Sequence, residues 1–144
     1  MSSRHKALFQ FMKQYPDIGN LFSFNFHEIE LNSSVFRVID EETVKKDIFG
    51  DETVLYKFSI AENKGYTTDP FSMENIDNLK DVDSFIEWIK AQDRQQNFPN
   101  LGEGYNVESI NAVRTPSGIA SVYPNGQIAQ YAFTVIVQYT KKGN

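Results

Sequence analysis

The chain has no cysteine among its 144 residues, which removes a disulfide framework and all thiolate chemistry and suits assembly in a reducing cytoplasm. Histidine is nearly as scarce, with only His5 and His27, so a nucleophile activated by an imidazole has few ways to be built. His27 alternates with apolar neighbours and reads as a strand histidine; His5, near the N-terminus, is expected in solvent. No apolar run approaches the roughly 20 residues that span a bilayer. The N-terminal MSSRHKALFQFMKQYP is broken by Lys13 and Gln14, so no membrane contact and no signal peptide are expected. Positive charge is also short: 14 Lys and Arg face 19 Asp and Glu. The resulting net charge of −5 opposes phosphate binding and disfavours a nucleic-acid binder.

What is abundant is aromatic surface, with 12 Phe and 7 Tyr, and such residues pack cores and subunit interfaces. A chain of this length fits one domain that buries roughly two thirds of its unfolded surface. Leu8, Phe11, Met12 and Tyr15 fall at helical spacing, with Ser2 or Ser3 as cap and Pro16 as stop. Phe22, Phe24 and Phe26 then alternate with polar residues and predict a strand. Short strands are expected at Val35 to Ile39 and Thr43 to Phe49. The turn at Phe49-Gly50-Asp51-Glu52 and the alternating Val54, Tyr56, Phe58 and Ile60 make Thr43 to Ala61 a hairpin. From Glu62 to Asn78 no period survives, and a loop of that length is usually kept for function or assembly.

A second helix follows, with Val82, Phe85, Ile86 and Ile89 as its buried stripe and Trp88 at the edge. Asp81 or Asp83 is its expected cap, Ser84 with Glu87 an inner capping box, and the polar stretch Lys90 to Asn97 its solvent end before Pro99. Next come a strand from Asn106 to Arg114, a turn at Thr115 to Gly118, a short strand through Val122 and a tight turn at Tyr123 to Gly126. The last strand, Gln127 to Tyr139, has Ala129, Tyr131, Phe133, Val135, Val137 and Tyr139 in one register. Its other register mixes Gln130, Thr134 and Gln138 with Ile and Ala, so it is expected to be central and covered on both faces. The odd face would bury the second helix, and the even face would meet the first helix or a neighbouring subunit. The whole predicts one α+β domain over 1–144, a mixed or antiparallel sheet packed against two main helices.

Chemistry is hard to find. His27-Glu28 lacks the second histidine of a zinc protease. Asp81 and Asp83 lack the glycine and terminal glutamate of a calcium loop, and Gly102-Glu103-Gly104 has no phosphate-loop sequel. Nothing selects a carboxylate pair from the acidic residues. No cofactor, metal or catalytic residue is assigned, and no enzyme is expected.

Laid end to end, several segments resemble a family of tailed-bacteriophage minor capsid proteins similar to tail terminators, which complete the tail. They are Tyr15-Pro16, Val44 to Asp51, Phe58 to Ala61, Phe85 to Ile89, Phe98 to Gly104, Val107 to Ile110, and Asn125 to Tyr131 running into Val135 to Tyr139. The likeness spans nearly the whole chain and lies in order and spacing; Tyr66 to Asn78 follows the family loosely. It implies a tail-terminator-like fold and a structural virion protein at the tail–neck junction, assembled in the host bacterial cytoplasm. Copies would form a ring, commonly six-fold, that caps the tail-tube protein, stops its polymerisation and offers a surface to neck or head-completion proteins. Genomic DNA would only pass through the lumen, and acidic residues on the inner rim would repel it across a Debye length of about 8 Å. The expected ring contacts are the hairpin around Lys45, Lys46 and Asp51 and the loop containing Tyr66; a solvated hairpin and a disordered loop read equally well from these residues. Another head–tail connector is the alternative within phage assembly, and a small cytoplasmic ligand-binding domain the alternative outside it.

Overall fold

Side-chain alternation and two amphipathic helices build a two-layer structure. The computed structural model describes residues 3–19, 21–25, 31–65, 67, 73–123 and 128–143, and only the backbone of 115–121 and 123. In chain order the elements are α1 (Arg4–Met12), β1 (Phe22–Phe24), β2 (Ser34–Lys46), β3 (Glu52–Gly65), α2 (Glu74–Arg94), β4 (Tyr105–Tyr123) and β5 (Ile128–Lys141). The strands form one mixed sheet in the order β1-β2-β3-β5-β4. β1 runs parallel to β2 and every other pair is antiparallel. The α+β class expected from the sequence is the observed one, and the last strand is central, held between β3 and β4.

Cross-strand pairing puts opposed residues on the same face. Tyr139, Val137, Val135 and Phe133 of β5 stand opposite Val54, Tyr56, Phe58 and Ile60 of β3, and all eight are buried. Both helices lie on this face. Tyr15, just after α1, stacks on Phe85 of α2 at 4.1 Å between ring centroids, and Phe85 meets Phe133 edge-on at 5.2 Å. Phe36 stacks on Phe58 at 4.1 Å and takes the edge of Phe9 from α1. The even face of β5 therefore does not meet the first helix, because the Tyr15–Phe85 stack ties α1 and α2 into one layer.

The even face changes along its length. Toward the start of β2 it is buried at Val35, Ala61, Asn63 and Gln130. There Gln130 donates to Asn63 at 3.2 Å, and Asn63 donates to the Ser33 hydroxyl at 2.8 Å, so three buried polar groups satisfy one another. Toward the hairpin, Leu55, Lys57, Thr134, Ile136 and Gln138 are only half buried.

Several boundaries differ from the sequence reading. The two strands expected over Val35 to Phe49 are one, because irregularities at Val38/Asp40 and Thr43/Lys45 keep β2 paired with β3 through a break in alternation. β3 runs to Gly65, so Glu62 to Gly65 are strand, and α2 begins at Glu74 with no side-chain cap at Met73. Glu74 and Asp77 fill its first turn, where negative charge suits the helix dipole, and Asn78 donates to the Gly65 carbonyl at 2.7 Å. Asp81, Asp83 and Ser84 thus sit inside the helix and cap nothing. Asp81 pairs with Lys64 and Asp83 with Arg114. The polar end of α2 is not wholly solvated either: Gln92 is buried and Asp93 accepts the Ile110 backbone N–H at 2.9 Å. Left-handed Gln96 ends this segment before Pro99 is reached. The turn expected at Thr115 to Gly118 is instead an irregularity inside β4, between Arg114/Phe133 and Ile119/Tyr131. Residues Phe26, His27, Glu28 and Pro124 to Gln127 lie outside the described residues, as does Ser2; Ser3 caps α1 by accepting the Lys6 N–H at 3.2 Å.

Candidate assembly surface

The hairpin between β2 and β3 turns through Asp47 to Asp51 under tight local control. The Asp47 carboxylate accepts the N–H groups of Phe49 and Asp51 at 2.9 and 3.0 Å. Its own N–H donates to the Asp51 carbonyl at 2.9 Å, and Gly50 donates back to the Asp47 carbonyl at 3.1 Å. Gly50 takes φ +87°, a conformation a side chain would strain. From the other end of the chain, the Gly143 N–H donates to the Asp51 carboxylate at 2.8 Å. This bracing leaves Ile48 94% and Phe49 75% exposed, with Val44 half exposed beside them. Burying either of the first two fully against a partner would contribute about 1.5–3 kcal/mol.

Of the residues expected to make contacts, Lys45 stands opposite Thr53, and Lys46 stands opposite Glu52 with its ammonium 3.9 Å from that carboxylate. Asp51 is a turn-building residue whose carboxylate is engaged by the Gly143 N–H. Tyr66 lies outside the described residues. The structure thus brings Lys45, Lys46 and Asp51 to one end of the sheet and exposes beside them Ile48 and Phe49, which the sequence reading did not single out. Their signal was available: two large apolar residues where a hairpin turn is normally polar.

A second polar cluster holds α1 to the sheet. The first turn of α1 has no acidic residue and begins Arg4-His5-Lys6, so the helix dipole meets the wrong charge. Glu41 of β2 supplies what is missing, taking two bonds from the Arg4 guanidinium at 2.7 and 2.6 Å and one from the Tyr139 hydroxyl at 2.7 Å. Burial opposes ionisation of Glu41, yet these bonds outweigh it and hold its carboxyl below the usual range. The same bond raises Arg4 against a smaller burial effect. His5 shares a hydrogen bond with the Tyr56 hydroxyl and is not the solvated side chain expected. Burial pushes Tyr56 and Tyr139 up, and Tyr15 up to about 12. Arg4, His5, Glu41, Tyr56 and Tyr139 bond to one another in two sets across α1, β2, β3 and β5, and the cluster works as a clasp.

Among the described residues, Glu62 carries the one buried side-chain oxygen left without a hydrogen-bond partner, Oε1. The residue is 7% exposed and faces the helices opposite Tyr131. Burial drives its carboxyl above the usual range, against the Lys64 ammonium 3.5 Å from Oε2. Among the described residues no three His, Asp or Glu converge as a metal site, and no helix is long and apolar enough to cross a membrane. Compared with protein-family models and with curated proteins, the chain matches none.

Proposed function

We propose that this chain is a structural virion protein of a tailed bacteriophage, a tail terminator. Its copies close into a ring, six-fold, on the last ring of tail-tube subunits, end tube growth and present a surface to the neck. The observation that carries the reading is the braced hairpin that holds Ile48 and Phe49 in solvent. A turn that costs apolar exposure and is fixed by five hydrogen bonds is built for a partner surface. The resemblance in segment order across the chain supports the same reading. The working chemistry is association, and a repeated contact between two different patches closes when its rotation closes.

Electron microscopy of particles lacking the protein tests this. Overlong tails without heads are expected. Tails of correct length with empty necks would move the protein to a connector role, and normal particles would remove it from assembly altogether.

A further inference from the structure

The hairpin is one end of a sheet whose other end carries exposed apolar side chains of its own. β2 spans 13 residues, so the two ends are about 40 Å apart. At the far end Leu31 and the first turn of α2 come together. A Cβ on Gly65 would meet Glu74 Oε1 at 2.5 Å and Leu31 Cδ1 at 3.8 Å. Leu31, Met73 and Ile76 are all exposed there, Met73 at 57%.

The two ends differ in charge. At the hairpin, Lys45, Lys46, Lys141 and Lys142 face outward or line the adjoining cleft together with Glu52, 3.9 Å from Lys46, while Asp47 and Asp51 have a carboxylate oxygen engaged in backbone bonds, so the end keeps an excess of lysine. At the far end, Glu74, Asp77 and Asp81 are exposed on the first turns of α2 with Lys80 among them, and Lys64 is shared between Glu62 and Asp81, so acids outnumber bases there.

We infer that the occupant of the hairpin tip is a second copy of this chain, and that its seat is the Leu31–Met73–Ile76 patch at the start of α2. Ile48 and Phe49 supply the apolar anchor. Lys45 and Lys46 meet the acids of the α2 first turns, and this fixes the direction of approach. The contact is heterologous, tip to far end, so each copy keeps one free tip and one free seat until a ring closes. The inference rests on the ring reading for its purpose but on these two patches for its geometry.

The absence of cysteine gives a clean experiment on the purified full chain. Ile48→Cys and Met73→Cys replace exposed side chains, so both variants fold. The two are mixed at high concentration and treated with a short bismaleimide. The mixed 48–73 product is expected to exceed the two homodimers by about tenfold, the ratio of a single decade in affinity. Adding Phe49→Asp to the Ile48→Cys chain should abolish it. Salt at about 1 M, where the Debye length is about 3 Å, should reduce it.

A statistical mixture of products, a dominant 48–48 homodimer, or no cross-link at all would overturn the contact. The particle experiment fails separately: a strong 48–73 cross-link alongside normal particles without the protein would keep the contact and discard the capping role.

Discussion

Two glutamates with opposite environments give the molecule opposed responses to pH. Glu41 has a folded-state pKa below its unfolded value of about 4.3, so its stabilisation is complete above that value and is lost as pH falls through the folded one. Glu62 is raised, so its ionised form costs stability at neutral pH, and acidification through the folded pKa relieves that cost. Glu62→Gln should therefore raise the midpoint of thermal unfolding at pH 7 and leave it nearly unchanged well below the unfolded value. Glu41→Gln should lower the neutral midpoint, through a loss of about 1.5–3 kcal/mol of stability for a charged hydrogen bond, with the gap closing toward low pH. Thermal melts of both variants from pH 3 to pH 8 check the two signs. Neither environment was legible from residue type: nothing in DEET marks Glu41 as a partner of Arg4, which is 37 residues away. Likewise, Glu62 looked like the start of a loop because its burial comes from α2 packing over β3.

At the level of elements, β5 carries stability and the hairpin is the part proposed to carry assembly. Phe133 is fully buried against Phe85, so Phe133→Ala should cost about 3–5 kcal/mol in chemical denaturation. Thr134, one residue on, is partly exposed on the even face, and Thr134→Asp should cost no more than about 1 kcal/mol. Unfolding by that change would show the even face to be internal core. Phe49→Asp should leave the unfolding free energy within about 0.5 kcal/mol of the parent, as exposed positions do, yet remove self-association in sedimentation. Reversing charge at Lys45 and Lys46 together should disturb tail length or head joining; normal tails with normal heads would exclude these lysines from the contact. The buried stripe of α2 and the odd register of β5 were readable because burial on one face imposes a period on the sequence. The start of α2 was not, because Asp81 and Asp83 imitate caps whose carboxylates are in fact used by Lys64 and Arg114.

For the whole molecule, layer assignment decides what is available to partners. Both helices on one face leave the hairpin half of the other face partly open, at Leu55, Thr134, Ile136 and Gln138. A ring of copies each carrying −5 should place Asp and Glu on its inner rim so that DNA slides without adhering; a reconstruction of the assembled ring with a basic lumen would exclude this.

Composition and periodicity by themselves determined that the chain is an α+β domain, that its last strand is central and which register of that strand is buried. Those follow from local rules in which each residue's face depends only on its neighbours in sequence. Tertiary structure decided the rest. The Tyr15–Phe85 stack put α1 beside α2, the ladder with β3 carried β2 through its bulges, and Asp47 and Gly143 fixed the turn that exposes Ile48 and Phe49. Each of these depends on groups that only folding brings within reach, or on a turn geometry that only the closed ladder fixes.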